Sequence, residues 1–214
     1  MKSPPKPKGR PREFDVEKAL DAALLLFWRH GYEGTSLSAL TQAMGINVPS
    51  LYAAFGNKEE LFKKVLDRYI QRPASYLPNS LKEPTAKAVV EKLFRGAIDM
   101  VMSPRHPDGC LLVQGALSSG PMGESITAEL SRRRAGAEAA LHRRFTRAVT
   151  EGDLPSDVDP EKLARYVITV LWGMSVQAAG GATRAQLKEI TEIALRTWPE
   201  KNSSKTNAKS AFPT

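Results

Sequence analysis

Residues 44–62, MGINVPSLYAAFGNKEELF, decide the fold of this chain because several helix boundaries fall close together in them. Gly45 ends one helix, and Asn47 is a suitable N-cap for the next one. Gly56 ends that second helix, and Asn57 caps a third. This spacing predicts two short helices joined by a turn of about three residues, which is the arrangement of a helix-turn-helix unit.

Helical periodicity continues on both sides of this stretch. Asp15 is a suitable N-cap for a first helix that Gly31 ends, and Thr35 and Ser36 cap the short helix that follows. The first helix has apolar residues at spacings of three and four, Val16, Leu20, Ala23, Leu24 and Phe27. The helix after Asn57 runs to about Arg72 with a second apolar stripe, Leu61, Val65, Leu66 and Tyr69.

The rest of the chain is also predicted to be helical. A connector rich in Pro, Ser and Asn covers 73–84, and helices are predicted at about 85–102, 109–118, 124–151, 160–179 and 183–198. The fold class is therefore all-α, with about nine helices. We expect a basic arm at 1–12, a helix-turn-helix domain at 13–57, a larger helical domain at 58–198 and a disordered tail at 199–214.

Composition narrows the function classes. The 214 residues carry a net charge of +8, and residues 1–12 hold five basic residues and no acidic one, which is a common footprint of nucleic-acid binding. No apolar run approaches the roughly 20 residues that cross a membrane, and the N-terminus is unlike a signal peptide, so we expect a cytoplasmic protein. A single cysteine and three histidines make a closed metal site improbable, and we expect no cofactor.

The helix after Asn47 is predicted to present a plain outward surface. On a helical wheel Leu51 and Phe55 face the core, and Pro49 and Ala53 point directly away from it. The remaining positions flank these two faces: Val48 and Ala54 beside the core, Ser50 and Tyr52 beside the outward pair. Small side chains let a helix backbone approach a groove closely, and the two hydroxyls can donate to phosphates or, for Ser50, to a base edge.

The stretch DAALLLFWRHGYEGTSLSALTQAMGINVPSLYAAFGNKEELF, residues 21–62, resembles the DNA-binding domain of TetR-type transcriptional repressors. The resemblance covers about 13–70 in register. It implies a sequence-specific, homodimeric DNA-binding regulator, a repressor released from its operator by a small effector or a thiol-reactive signal. The positions that it assigns to DNA contact are Ser36, Leu37 and Ser38 in the second helix, Val48, Pro49, Ser50, Tyr52 and Ala53 in the recognition helix, and Lys58, whose helix start we expect to bind an anion.

Two departures from the family affect how the operator is read. Ala53 and Ala54 stand where many members carry larger side chains, and Ser38 stands where some carry Arg. The outward face has no Arg, Gln or Asn for bidentate contacts to bases. We therefore expect weak direct readout, mainly contacts of Pro49 and Ala53 with thymine methyl groups.

The basic arm is a second candidate for sequence preference. The stretch PKGRPRE, residues 7–13, has a Gly-Arg-Pro core similar to the AT-hook of minor-groove binders. Arg10, supported by Arg12, can enter a narrow A·T-rich groove. The alternative is an arm that neutralises phosphates without reading sequence.

The resemblance also implies a dimer face and an effector pocket in the larger domain. The last two helices are the candidates for the dimer face through two apolar stripes, Leu163, Tyr166, Val167, Val170, Leu171 and Met174 on one and Leu187, Ile190, Ala194 and Trp198 on the other. Candidates for the pocket lining, each of which could instead be ordinary core, are Phe94, Ile98, Met102, Leu112, Phe145, Val170 and Trp172. Arg132, Arg133 and Arg134 suggest a solvated helix face, and the alternative is a second DNA contact.

Cys110 is either a sensor of electrophiles, oxidants or copper, as in some TetR-like repressors, or a buried and inert thiol. It lies near a predicted helix N-terminus, with Arg105 and His106 close in sequence, and such surroundings lower a thiol pKa. A cysteine enzyme with His106 as base is a rival from another class, but no orienting carboxylate or oxyanion loop is evident beyond Asp108, so we expect no enzyme. A DNA-coating protein without sequence preference is the other rival.

Overall fold

The computed structural model describes residues 14–117 and 123–200, and these ranges are helical with no strand. The ten helices in them are α1 (Val16–His30), α2 (Leu37–Met44), α3 (Val48–Phe55), α4 (Lys58–Gln71), α5 (Tyr76–Ser80), α6 (Ala86–Val101), α7 (Leu111–Leu117), α8 (Glu124–Thr150), α9 (Pro160–Ala179) and α10 (Arg184–Arg196). All nine predicted helices are present, which confirms the all-α fold class. None of the helices in these ranges has both the length and the apolar character that a membrane crossing requires.

One short helix was not predicted. α5 lies inside the segment expected to be a connector, and apart from Leu77 its residues have low helix propensity. It packs against α6 at Gly96, where an added Cβ would come within 2.5 Å of the Tyr76 Cβ. A five-residue helix gains its stability from such packing rather than from propensity, so the local sequence gave no signal for it.

Polar caps begin the helices much as predicted. The Asp15 carboxylate accepts hydrogen bonds from the Glu17 and Lys18 amides at 3.0 and 3.2 Å, which starts α1. One assignment was wrong. Ser36 alone caps α2, whereas Thr35 is buried and donates its hydroxyl to the Gly31 carbonyl at 2.7 Å.

The chain forms two compact units that do not follow chain order. Unit one comprises Met1–Ser75 and Ser103–Ser131, and unit two comprises Tyr76–Met102 and Arg132–Thr214, each within the described ranges. α4 packs on α1 and therefore belongs to unit one, although the sequence suggested a boundary between 57 and 58. A compact unit is set by which helices bury surface against each other, and this information is not local in sequence.

Each unit has its own apolar core. In unit one, α1 and α4 contribute two aromatic pairs, Phe27 with Phe62 at 4.9 Å and Trp28 with Tyr69 at 4.8 Å between ring centroids. In unit two, α6, α9 and α10 pack on one another. Full burial of one such side chain contributes on the order of 2 kcal/mol, so α1 and α4 form a firm support for α2 and α3.

Candidate nucleic-acid interface

The turn between α2 and α3 is fixed by hydrogen bonds of its own backbone. Gly45 adopts the left-handed conformation, with φ of 65° and ψ of 31°. The amides of Gly45 and Ile46 donate to the Gln42 and Thr41 carbonyls at 3.2 and 3.1 Å. The Asn47 side chain then accepts from the Ser50 amide at 2.8 Å and starts α3. The predicted helix-turn-helix geometry is confirmed, and its turn leaves little freedom in the direction of α3.

α3 turns two side chains inward and most of the others outward. Leu51 and Phe55 are buried, as predicted. Val48 and Tyr52 are 43% and 47% exposed. The outward pair, Pro49 and Ala53, is also exposed, while Ser50 and Ala54 are partly exposed. The result is a shallow surface of small side chains with hydroxyl groups beside it. The helical wheel predicted this surface but placed Val48 beside the core, whereas Val48 at the start of the helix is exposed.

The start of α4 is locked by a reciprocal capping box. The Asn57 side chain accepts from the Glu60 amide at 2.9 Å, and the Glu60 carboxylate accepts from the Asn57 amide at 3.0 Å. Gly56, with φ of 79°, leaves room for that carboxylate, because a Cβ there would lie 1.7 Å from Glu60 Oε2. The expected anion site is therefore smaller than a fully open helix end, since the capping box uses two of the amides.

Lys58 lies at this helix start in a defined position. Its Nζ is 4.3 Å from the centroid of the Tyr32 ring, which gives a cation–π contact. Burial lowers the pKa of Lys58, and the Glu33 carboxylate opposes the shift. Sequence reasoning assigned no role to Tyr32 in placing this cation. The Gly-Tyr pair after α1 was the available signal.

Other predicted contact positions are distributed around α2 and the N-terminal arm. Ser36 and Ser38 are exposed, and Leu37 is partly exposed. The Ser36 Oγ accepts from the Ala39 amide at 3.1 Å, so its hydroxyl hydrogen remains available to a phosphate. Arg10 and Arg12 lie outside the described residues.

A cluster of charged side chains, which we call the α1–α4 charge cluster, supports these helices. The Arg68 guanidinium is buried and donates to both Asp21 carboxylate oxygens, at 2.7 and 2.8 Å, and to Glu17. Arg72 adds longer contacts to the same two acids at 3.3 and 3.4 Å. The hydrogen bonds that Arg68 donates to the Asp21 carboxylate lower the pKa of Asp21 and raise the pKa of Arg68. Sequence reasoning missed this cluster, although acids and arginines both recur four residues apart.

Cys110 lies in the core of unit one, not on its surface. Its side chain is 6% exposed, and the Tyr69 hydroxyl donates to its sulfur at 3.1 Å. Tyr69 packs edge-on against Trp28, whose indole ring stacks on the His106 imidazole at 5.2 Å. A thiol in this position is connected through one hydrogen bond to α4, the helix that carries Lys58 at its other end.

The predicted pocket residues do not form one group. Cys110 and Leu112 belong to unit one, and the other six belong to unit two. Phe94 and Ile98 line a cleft of about 330 Å³ between α6 and α10, whereas Phe145 packs on Trp198 at 5.8 Å in the core. Of the remainder, Leu112 is buried, and the partly exposed residues are Met102, Val170 and Trp172.

The predicted dimer stripes serve largely as internal core. Six of their ten residues are buried within a single chain, Val167, Leu171, Met174, Leu187, Ala194 and Trp198. Exposed apolar surface remains at one stripe residue, Tyr166, which is 41% exposed, and beside the stripes at Ile193, which is 54% exposed, and at Val176. A stripe at helical spacing marks a buried face but does not say which neighbour buries it.

Comparison with known proteins agrees with this geometry. Residues 19–65 match the family described as bacterial regulatory proteins, tetR family, and residues 86–192 match the tetracyclin repressor-like C-terminal domain. The chain belongs to the TetR family of helix-turn-helix transcriptional regulators. The resemblance noted in its sequence is thereby confirmed.

Three similar proteins cover most of the chain. The HTH-type transcriptional repressor ComR of Escherichia coli (strain K12) is 37% identical over 197 residues, which is 91% of this chain and 94% of that protein. The repressor BdcR of the same strain is 31% identical over 181 residues, 84% of this chain and 86% of that protein. A cysteine variant of the TetR-family regulator CifR, solved with a 26-base-pair operator duplex, is 43% identical with a TM-score of 0.84, covering 89% of this chain and all of that one.

Proposed function

We propose that the chain is a homodimeric, cytoplasmic repressor that places one α3 helix of each protomer in the major groove of an operator. The presentation of α3 carries this proposal. Its two bulky inward residues are buried, the two residues that point directly outward, Pro49 and Ala53, are small, and glycine turns and capped helix starts fix the helix on both sides. A rigid helix with a low surface can approach base edges closely.

The outward side chains of α3 contact two different parts of the DNA, the bases and the phosphates. Pro49 and Ala53 have no polar groups, so they contact thymine methyl groups. Tyr52 and Ser50 donate to phosphates beside the groove, together with Ser36 and Lys58. The remaining positions at this surface are Leu37, Ser38 and Val48. The arm residues Arg10 and Arg12 add a minor-groove or phosphate contact.

Dimerisation supplies the second reading helix. The exposed side chains of Tyr166, Val176 and Ile193 leave apolar surface on α9 and α10 that one chain does not cover. Pairing of these helices with the same helices of a second copy makes a four-helix bundle. Half-sites then lie about one helical turn apart, roughly 34–36 Å.

The relatives favour repression. ComR and BdcR are named repressors and CifR was solved on operator DNA, and these names support the direction of regulation for this chain. The test is titration of a fluorescein-labelled duplex from upstream of the chain's own gene, followed by anisotropy at fixed salt. A scrambled duplex of equal length and composition is the control. Preference for the upstream duplex supports the proposal, and equal affinity supports the DNA-coating alternative.

We also propose that a thiol-reactive signal releases the repressor from its operator by modifying Cys110. The hydrogen bond from Tyr69 to the Cys110 sulfur means that a bulky adduct on the sulfur must displace the phenol. Because Tyr69 belongs to α4, displacement shifts the helix that positions Lys58. Treatment with a small electrophile such as methylglyoxal or N-ethylmaleimide, followed by intact mass and operator retention, tests the idea.

The Cys110→Ser variant is the matched control, because it keeps a small polar group but cannot be alkylated. We expect the wild type to lose DNA on modification and the variant to retain it. A wild type whose thiol stays unmodified, or whose modified form keeps full affinity, would contradict thiol sensing while leaving operator binding intact.

A further inference from the structure

A cleft in unit one, away from α3, has the features of a ligand site. It has a volume of about 370 Å³, which is within the range of small-molecule pockets. α1, the C-terminal end of α4 and the segment before α7 form its walls, and the lining residues include Leu24, Leu25, Trp28, Arg72, Arg105 and His106. Leu25 is one of the few large apolar side chains exposed in the described ranges.

The aromatic wall of this cleft holds two unsatisfied ring nitrogens. Trp28 is fully buried, and its Nε1 has no hydrogen-bond partner among the described residues; the same is true of His106 Nδ1. The two rings stack on each other in the wall. A buried N–H without a partner is unfavourable, so a ligand that brings an acceptor atom to this wall adds a bond that the free protein lacks.

At the edge of the cleft, arginine side chains are more available to a ligand than the single carboxylate is. Asp21, the acid in the lining, is already held by two hydrogen bonds from Arg68. Arg72 is engaged by long contacts, and its side chain is more than half exposed. Arg105 is exposed and forms no ion pair within residues 14–117 and 123–200. A cationic edge beside an apolar wall suits an amphipathic anion.

We infer that this cleft binds a small, largely apolar carboxylic acid, with its carboxylate between Arg105 and the ring nitrogens of the Trp28–His106 wall and its hydrocarbon body against Leu24 and Leu25. The inference rests on the proposed function and deepens it, because the bound acid acts as the effector. Trp28 packs edge-on against Tyr69 of α4, so a ligand at this wall presses on the contact between α1 and α4. These are the helices that support α2 and α3.

The first experiment is isothermal titration of the full-length, DNA-free protein with benzoate, 1-naphthoate and decanoate. 1-Naphthylmethanol keeps the aromatic body of naphthoate without its charge. We expect at least one acid to bind, and naphthoate to bind at least about tenfold more tightly than the alcohol. Absence of binding by all three acids, or equal affinity for acid and alcohol, overturns the inference.

Two matched arginine variants locate the site. Arg105→Gln removes the cation from this cleft, and Arg95→Gln removes one from the cleft of about 330 Å³ lined by Phe94 and Ile98 in unit two. We expect affinity to fall about tenfold in the first variant and to stay unchanged in the second. The reverse pattern places the ligand in unit two and overturns the inference. Trp28→Phe, which removes only the indole N–H and part of the ring, should also weaken binding.

Operator release is measured separately by adding the acid to the protein–DNA complex. Acid binding to the free protein does not require an operator, so failure of the proposed function leaves that measurement valid. Conversely, a wild type that binds its operator but no acid disproves the site alone. Binding of the acid without loss of DNA affinity overturns the assignment of the cleft as an effector site.

Discussion

α3 and the α9–α10 surface both expose apolar or aromatic side chains, yet they suit different partners. Six large side chains of this kind are exposed in the described ranges. Two lie on α3, Val48 and Tyr52, three lie on α9 and α10, Tyr166, Val176 and Ile193, and the last is Leu25 at the cleft. Exposed apolar surface therefore occurs where this chain is proposed to bind something.

The surroundings of each surface distinguish the partners. Beside α3 stand small residues, hydroxyl groups, a helix N-terminus and Lys58 over the Tyr32 ring, which together suit a groove lined by phosphates. On α9 and α10 the exposed apolar side chains are large and aliphatic or aromatic, and they lie beside side chains of the internal core. Such a surface suits a second protein chain.

The largest effect should come from breaking the α9–α10 surface. Ile193→Glu places a charge at a side chain that is 54% exposed in one chain and buried in the proposed dimer. We expect light scattering to show a monomer. Operator affinity should fall by at least about 100-fold, because a monomer lacks the DNA contacts that the α3 helix of the second protomer makes.

Ala185→Glu is the control for this change. It adds the same charge to an exposed position of the same helix. We expect it to remain dimeric and to bind normally. A dimeric Ile193→Glu protein with wild-type affinity would remove the proposed dimer surface.

A smaller effect is expected on the stability of α1 and α4, the two helices that support α2 and α3. Arg68→Met removes the cation of the α1–α4 charge cluster while keeping an unbranched side chain of similar length. We expect the free energy of unfolding to fall by about 2 kcal/mol, below the usual cost of breaking a buried pair because Asp21 and Glu17 are partly solvated. Urea unfolding measures it, and Lys162→Met, at an exposed pair on α9, should change stability little.

The α1–α4 charge cluster also predicts that the folding stability of the protein depends on pH. The folded pKa of Asp21 lies below its ordinary value of 3.8, so its contribution to stability is complete above that pH and is lost as pH falls through the lowered value. The stability difference between wild type and Asp21→Asn should therefore narrow in acid. A difference that stays constant from pH 6 to pH 3 would show that Asp21 contributes nothing through its charge.

The smallest effect compares two exposed tyrosines. Tyr52→Phe removes a hydroxyl proposed to donate to a phosphate, and we expect operator affinity to fall about three- to tenfold. Tyr166 is similarly exposed, but its hydroxyl lies 3.5 Å from the Thr197 hydroxyl of its own chain. Tyr166→Phe should leave anisotropy titrations unchanged. Equal losses of operator affinity in both variants would contradict the assignment of α3 to DNA binding and of α9 and α10 to dimerisation.

Sequence alone revealed those features that neighbouring residues determine. Asn47, Gly45 and Asn57 act within three or four residues of themselves, so the start, turn and support of α3 could be predicted. The helical wheel also placed Leu51 on the buried face and Ala53 on the exposed face of α3, because this helix packs against the rest of the chain along one side.

Features that join distant residues could not be predicted in this way. Arg68 meets Asp21 from 47 residues away, and α5 depends on the space left at Gly96. The position of Lys58 depends on a partner from the loop between α1 and α2, Tyr32, which lies 26 residues earlier in the chain. The stripes of α9 and α10 showed which sides are apolar, but burial within one chain and burial between two chains produce the same periodicity.

The most direct test concerns Ala53, at the centre of the outward face of α3. Ala53→Glu puts a carboxylate where a DNA groove is proposed to lie, and Ala185→Glu makes the identical change on α10. We expect both variants to be folded dimers by circular dichroism and light scattering. Ala53→Glu should lose operator retention by at least about 100-fold through repulsion and desolvation, while Ala185→Glu keeps it. Full retention of the operator by a folded Ala53→Glu dimer would mean that α3 does not read the DNA.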